Sequence, residues 1–201
     1  MSKQQHLPPM QMFLPSETVE IVKQYGSEIP AELAFEQEMT ILFSDMRGFT
    51  ELAESYRPRD VYATINASLA IQARAVHAHG GSVNKFLGDG LLACFSGPGM
   101  RERAIECMLE LLDELPAREG ELLPCKVGFG LHCGHVLFGL LGDENRREFT
   151  VIGAVANTAA RLCGLAQPFQ ALVTESGVAG ISEPMRASHC FHLRAQQFKG
   201  K

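Results

Sequence analysis

Residues 82–95 read SVNKFLGDGLLACF, and this stretch predicts a β-hairpin. Two strand-like segments, residues 82–87 and 91–95, flank the tripeptide Gly88-Asp89-Gly90. An Asp-Gly pair between apolar segments is a strong signal for the tight turn that joins two antiparallel strands. The stretch therefore indicates a fold that contains an antiparallel sheet.

The segments on either side of the hairpin alternate between helix-like and strand-like patterns. Apolar residues at helical spacing precede the hairpin, and a second amphipathic segment follows it. Helices interleaved with hairpins favour an α+β fold, with the sheet covered by helices on one face, over a doubly wound parallel sheet. The predicted elements are a strand at 39–43, a helix at 58–79, the hairpin, a helix at 101–114, two strands around Gly134, a charged loop at 143–148, a strand at 149–152 and a helix at 156–165.

The composition is typical of one globular domain. The chain has 201 residues, of which 46% are hydrophobic and 20% charged, and its formal net charge is −5. A chain of this length can bury one hydrophobic core, and the acidic balance gives no reason to expect a nucleic-acid partner. The six cysteines are scattered without a CxxC pair, which is typical of reduced thiols in a cytoplasmic protein.

The N-terminal region differs from the rest of the chain. Residues 1–38 form a polar, proline-punctuated lead-in with one short helix, for which Ser16 is the candidate cap, and residues 39–201 form the domain. The first residues lack the apolar core of a signal peptide. The longest stretch without a charged residue, 127–142, is too short and too rich in glycine to span a membrane. We therefore expect no membrane contact by this segment.

The first candidate site lies at the end of the first predicted strand. In FSDMRGFT, residues 43–50, Asp45 ends an apolar run and a loop containing Gly48 follows. Backbone N–H groups of such a loop can bind phosphate, and the carboxylate can hold a hard cation. Taken alone, a turn-capping aspartate before a glycine is the simpler explanation.

The second candidate site is the hairpin turn. Asp89 lies at its tip between two glycines, and Lys85 lies inside the otherwise apolar strand before it. Two carboxylates at neighbouring strand ends are what a site for two metal ions needs. Lys85 either extends to the surface or points at a ligand.

The third candidate site is a helix. In FTVIGAVANTAARL, residues 149–162, Asn157 and Arg161 are four residues apart and share one helical face. An amide and a guanidinium together can stabilise negative charge that develops on a phosphate. The alternative is a surface pair on an alanine-rich helix.

The three motifs together resemble the catalytic domain of class III nucleotidyl cyclases, the adenylate and guanylate cyclases. The phrases FSDMRGFT, KFLGDGLLACF and FTVIGAVANTAARL match the motifs of this family in order and spacing, and the resemblance covers residues 38–201. It implies a ferredoxin-like core with a mostly antiparallel sheet covered by helices. Residues 39–201 would then be the catalytic domain.

The resemblance also implies a role for each matching residue. Asp45 and Asp89, with the backbone carbonyl of Met46, would hold two Mg²⁺ or Mn²⁺ ions. Asn157 would orient the ribose, and Arg161 would stabilise charge on the transferred phosphate. The segment Gly48-Phe49-Thr50 would cradle phosphate oxygens, Lys199 would contact the β- and γ-phosphates, and Lys85 with Thr150 would select the purine.

Lys85 and Thr150 favour adenine. Adenine N1 is an acceptor and lysine offers only donors, whereas the adenine amino group is a donor and the threonine hydroxyl can accept. Guanine reverses the polarity at N1, and guanylate cyclases of the family typically carry Glu at the position of Lys85. The resemblance therefore implies an adenylate cyclase that converts ATP to 3′,5′-cyclic AMP and pyrophosphate, of the subgroup that includes bicarbonate-responsive bacterial and soluble cyclases. The alternatives are a guanylate cyclase and a non-catalytic cyclase-homology module that only binds or dimerises.

The family resemblance further implies a homodimer. Lys85 and Asp89 are four residues apart along the hairpin, roughly 13 Å at the usual rise of a strand, so we do not expect them to bind the same end of one nucleotide. In the family, head-to-tail dimers place Asp45 and Asp89 of one subunit opposite Lys85, Thr150, Asn157 and Arg161 of the other. We expect a cytoplasmic domain, free or as the cytoplasmic part of a membrane-attached protein with an upstream sensory or membrane module.

Overall fold

A computed structural model describes residues 14–26, 28–30, 32–118, 123–143 and 145–183. The helices are α1 (Ser16–Tyr25), α2 (Phe49–Ser55), α3 (Pro58–Ala78), α4 (Met100–Ala117) and α5 (Ala154–Leu165). The strands are β1 (Ala34–Arg47), β2 (Ser82–Phe86), β3 (Leu91–Ser96), β4 (Lys126–Gly142), β5 (Arg147–Ile152) and β6 (Ala171–Val173), and one 3-10 turn follows at Glu175–Gly177.

The strands form one mixed sheet in the order β2-β3-β1-β4-β5. All pairs along this path are antiparallel, and β6 adds a parallel pair with β4. The predicted hairpin is present as β2 and β3, joined by the Asp89 turn. The expected α+β fold with a mostly antiparallel sheet is therefore confirmed.

The sheet is curled, so that its two edge strands β2 and β5 meet. The side-chain amide of Asn84 on β2 donates a hydrogen bond of 3.1 Å to the carbonyl oxygen of Phe149 on β5. The ammonium group of Lys85 forms an ion pair with Glu148, also on β5. These contacts define a seam between β2 and β5, although three strands separate them in the order of the sheet.

Helices cover both faces of the sheet, and the expectation of one covered face is wrong. Leu42 packs with residues of α3 and α4, such as Val76 and Leu111. Its neighbour Ile41 packs on the opposite face with Val155 and Ala159 of α5. Since successive side chains of a strand point to opposite faces, a continuous apolar strand such as β1 needs cover on both sides.

Strand β4 is continuous, whereas the sequence predicted two strands around Gly134. Two glycines of β4, Gly130 and Gly134, make room for α5 and do not form a turn: a Cβ at Gly134 would lie 2.9 Å from the side chain of Val155. At Gly130 a Cβ would collide with the backbone of α5 at Ala159 and Cys163. A strand glycine often marks such a close approach.

Other boundaries also differ from the prediction. Strand β1 begins at Ala34, five residues before the predicted start, because its first half pairs with the far end of β4. Strand β5 begins at Arg147, inside the predicted loop. Helix α1 is present, but Pro15 occupies the cap position that was expected for Ser16. Within the described residues, no helix combines the length and apolar character that crossing a bilayer requires.

Candidate active site

The structure brings Asp45 and Asp89 together. Asp45 lies near the C-terminal end of β1, and Asp89 lies in the turn between β2 and β3. The turn is pressed onto β1, because a Cβ at Gly90 would collide with the carbonyl oxygen of Ser44. The backbone N–H of Leu91 also donates to Oγ of Ser44 at 3.1 Å. A glycine at position 90 is therefore needed for the two carboxylates to approach.

The surroundings of Asp89 disfavour its negative charge. Burial raises the pKa of Asp89, and the nearby charge of Asp45 raises it as well, while hydrogen bonds from backbone N–H groups and the charge of Arg47 oppose both effects. A neighbouring carboxylate destabilises a second one unless a cation lies between them. The pair is therefore suited to a divalent cation.

The same pair fits the coordination habits of Mg²⁺. No group of three or more His, Cys, Asp or Glu side chains that could hold a metal occurs among the described residues. Mg²⁺ is usually bound by only one or two carboxylates, with water and substrate phosphates in its other positions. Asp45 and Asp89 provide that donor set.

Arg47 is part of this site and was missed by the sequence analysis. Its Nη2 atom lies 3.1 Å from Oδ2 of Asp45 and 2.9 Å from the carbonyl oxygen of Cys163 in α5. The guanidinium therefore links the end of β1 to α5. Its place in the FSDMRGFT motif was the only available signal.

The segment predicted as a phosphate-binding loop is instead the start of a helix. Gly48 occupies the N-cap position of α2 with a left-handed φ of 74°, a conformation that glycine adopts without strain. Phe49 is partly buried against the core, and Thr50 is exposed. Phe49 can therefore offer a ligand little more than its backbone.

Lys85 and Thr150 lie on the two strands that form the seam. Thr150, on β5, is 9% exposed. Glu148 lies two residues before Thr150 on the same strand, so both side chains belong to one face of β5. The ion pair between Lys85 and Glu148 was not predicted, because it joins strands from opposite edges of the sheet.

Asn157 and Arg161 occupy the exposed side of α5. The opposite side of the helix is buried through Val155, Ala159 and Leu162. Within the described ranges, no hydrogen bond or ion pair joins Asn157 or Arg161 to the aspartates. Lys199 lies outside the described residues.

Residues 32–200 match the family model described as the adenylate and guanylate cyclase catalytic domain. The chain belongs to this family. It is a class III cyclase domain, and the antiparallel curled sheet with its covering helices is the fold of its structural neighbours. The resemblance drawn from the three motifs is therefore confirmed at the level of the family.

The sequences that this chain resembles belong to much longer proteins. The chain is 31% identical over 207 residues to an adenylate cyclase of Anabaena cylindrica, covering 97% of this chain and 41% of that protein. It is 36% identical over 158 residues to an uncharacterized protein of Mycobacterium tuberculosis, covering 76% of this chain and 29% of that protein. The cyclase domain thus spans less than half the length of these relatives.

Solved structures of both adenylyl and guanylyl cyclases are similar to this cyclase domain. A bacterial light-regulated adenylyl cyclase matches with 28% identity and a TM-score of 0.70, covering 78% of this chain and 47% of that one. The guanylyl cyclase Cya2 matches with 29% identity and a TM-score of 0.70, covering 84% of this chain and 88% of that one. Similarity alone therefore places the chain in a family that contains both adenylyl and guanylyl cyclases, and it does not choose between ATP and GTP.

Proposed function

We propose that the chain is an adenylate cyclase that converts ATP to 3′,5′-cyclic AMP and pyrophosphate. The observation that carries the choice of purine is the ion pair between Lys85 and Glu148. The pair holds an ammonium group at the seam, and an ammonium can only donate hydrogen bonds. Adenine N1 accepts a hydrogen bond, whereas guanine N1 carries a hydrogen. The hydroxyl of Thr150, on the other strand of the seam, could accept from the adenine amino group.

We propose that Asp45, Asp89 and the carbonyl of Met46 hold two Mg²⁺ or Mn²⁺ ions. Class III cyclases use divalent ions, and the disfavoured charge at Asp89 agrees with cation binding there. When bound, such ions would make the ribose 3′-hydroxyl more acidic and neutralise charge on the phosphates.

The remaining candidates would bind and orient the nucleotide. Asn157 would hold the ribose, and the guanidinium of Arg161 would donate to the oxygens of the phosphate under attack. Lys199 and the N–H groups of Gly48, Phe49 and Thr50 would contact the other phosphates.

We propose that two copies of this chain form a head-to-tail dimer with two equivalent sites. Apolar side chains are exposed near the seam, including Phe86 at 57%, Leu87 at 43% and Leu141 at 51%. An exposed apolar surface of this kind often marks a protein interface. A second copy would cover it and would bring its own Asn157 and Arg161 to the aspartates of the first.

The setting of the domain is also a proposal. The relatives are more than twice as long as the matched region, so we propose that this chain is the cytoplasmic catalytic part of a protein with an upstream sensory or membrane module. We propose that this catalytic part begins with β1, after the lead-in that carries α1.

Guanylate cyclase activity is the second candidate, and the similarity to Cya2 supports it. Cyclic nucleotide formation by the purified chain, with ATP and with GTP, in Mg²⁺ and in Mn²⁺, separates the two. We expect cyclic AMP from ATP, with specific activity falling on dilution as the dimer dissociates. Product from GTP alone would contradict the adenylate cyclase assignment.

The matched variants are Asp45→Asn and Asp113→Asn, which remove the same charge at different places. Asp113 is exposed on α4 and is not one of the candidate site residues. We expect the first variant to lose activity by about two orders of magnitude or more, as for loss of a group that stabilises transition-state charge. The second variant should keep it. Full activity in Asp45→Asn would reject the enzyme assignment and favour a non-catalytic module.

A further inference from the structure

Asn84 is an extra residue in strand β2. Val83 pairs with Ala93 of β3, and Lys85 pairs with Leu92, so two steps along β2 correspond to one step along β3. Asn84 is therefore the inserted residue of a β-bulge. Bulges are common beside active sites, where they redirect the side chains that follow. Here the side chain that follows is Lys85.

The buried side chain of Asn84 connects the two strands of the seam. It is only 3% exposed, and its Nδ2 donates 3.1 Å to the carbonyl oxygen of Phe149 on β5. Its Oδ1 atom has no hydrogen-bond partner in the part of the chain that is described. A buried amide with one unpaired end is a poor choice for stability alone, because an apolar side chain would avoid that cost.

The residues that follow the two partners of this hydrogen bond in the sequence are the proposed purine-selecting pair. Asn84 immediately precedes Lys85, and Phe149 immediately precedes Thr150. A single hydrogen bond thus fixes the two strands relative to each other one residue before each side chain. The ion pair of Lys85 with Glu148 depends on the same strand separation.

We propose that Asn84 is a positioning residue for purine selection. It holds β2 against β5, so that the ammonium of Lys85 and the hydroxyl of Thr150 stand at the spacing that one purine edge requires. Discrimination between bases that differ in donors and acceptors depends on polar groups held in place. This inference rests on the proposed function, because it assigns a role to the neighbours of the residues that would contact the base.

The test compares two buried amides. Gln72 of α3 is also fully buried, its Nε2 donates to Oγ of Ser68 at 3.1 Å, and its Oε1 is unpaired among the described residues. Asn84→Leu and Gln72→Leu therefore remove the same group at different places. For each folded variant, kcat/KM is measured with ATP and with GTP, and the binding of 3′-deoxy analogues of both nucleotides, which lack the attacking hydroxyl, is measured by calorimetry.

We expect Asn84→Leu to reduce the preference for ATP, which is kcat/KM with ATP divided by kcat/KM with GTP, by about tenfold or more. Gln72→Leu should leave the ratio at the wild-type value, whatever it does to stability. In a Lys85→Ala background, Asn84→Leu should change the ratio no further, because the spacing between Lys85 and Thr150 that Asn84 sets matters only while Lys85 is present. If Asn84→Leu does not fold, Asn84→Ala, which is smaller, takes its place.

Three outcomes would overturn the inference: an unchanged ratio in the Asn84 variant, an equal change in Gln72→Leu, or a full effect in the Lys85→Ala background. Failure of the proposed function looks different. A wild type that prefers GTP would contradict adenylate cyclase, yet loss of that preference in Asn84→Leu would still support the role of Asn84. A wild type without turnover would be judged by the calorimetric ratio.

Discussion

The guanidinium of Arg47 lies 3.1 Å from the carboxylate of Asp45, and the same Nη2 atom lies 2.9 Å from the carbonyl oxygen of Cys163. One cation thus connects the proposed metal-binding end of β1 to the helix that carries Asn157 and Arg161. In a head-to-tail dimer these two parts of a chain serve different sites. Arg47 therefore lies at the junction between them.

Replacement of Arg47 by Met should lower the free energy of unfolding by about 1–2 kcal/mol, because charged hydrogen bonds away from full exposure are lost. Arg57 provides the control, since it pairs with Asp60 at 2.8 Å but its side chain is 84% exposed. Exposed pairs contribute little to stability. Urea unfolding should show a lower midpoint for Arg47→Met and an unchanged one for Arg57→Met. Equal shifts in both variants would contradict a structural role for the Arg47 bridge.

Asp89→Asn should stabilise the protein near neutral pH when no divalent cation is present. Burial, and to a smaller extent the charge of Asp45, raises the pKa of Asp89 above its value in the unfolded chain. The folded state then binds the proton more tightly, so the contribution to stability is fully present below the unfolded pKa and is lost as pH rises through the folded pKa. Asparagine stays neutral and avoids that loss.

Thermal unfolding in a chelator tests this expectation. The midpoint of Asp89→Asn should exceed that of the wild type at about pH 7, and the two should converge below about pH 3, where both side chains are neutral. Added Mn²⁺ should raise the midpoint of the wild type more than that of the variant. A variant that is less stable than the wild type at every pH would show that hydrogen bonds to the carboxylate outweigh its burial.

Reversal of the Lys85–Glu148 pair should change the choice of purine. Lys85→Glu alone would place two carboxylates side by side across the seam, so we expect a poorly active protein with either nucleotide. Adding Glu148→Lys restores the ion pair with the opposite polarity and presents an acceptor where Lys85 presented a donor. The ratio of activity with GTP to activity with ATP should rise about tenfold or more over the wild type. An unchanged preference in the double variant would reject the polarity argument.

The Thr150 position offers a separate check on the same argument. Lys85→Glu combined with Thr150→Cys should also shift use from ATP toward GTP in the low activity that remains beside Glu148, because the acceptor for the adenine amino group is removed as well. The measurement is cyclic nucleotide formed from an equal mixture of both substrates. A double variant that still forms mainly cyclic AMP would show that the base is recognised elsewhere.

The motifs were enough to predict the family, whereas the contacts between them were not predictable. Asp45 and Asp89 could be paired in advance because both follow short apolar strands next to glycines. Glu148 and Asn84 could not, because their importance depends on the curl that brings β5 against β2. Curl accumulates over the whole sheet and leaves no local sequence pattern.

Glycine explains the largest error in the predicted elements. Gly134 was interpreted as the break between two strands, because glycine commonly interrupts regular structure. In the structure it allows Val155 of α5 to approach β4. The two situations look alike in one sequence, because both need a missing side chain and only the position of α5 distinguishes them. The same helix carries Asn157 and Arg161 on its exposed side.

Mixtures of inactive variants should reveal whether one site is built from two chains. Asp45→Asn and Arg161→Ala should each be inactive alone, because each removes a different part of every site. In a one-to-one mixture, half of the dimers would contain both variants, and each of these would carry one intact site if the dimer is head-to-tail. Activity should then recover to about a quarter of the wild-type value.

Asp45→Asn mixed with Asp89→Asn is the matched control, because both defects lie in the same half of the site and no intact site can form. Recovery in neither mixture would indicate that each chain uses its own Arg161, and recovery in both would indicate that Asp45 and Asp89 belong to different sites.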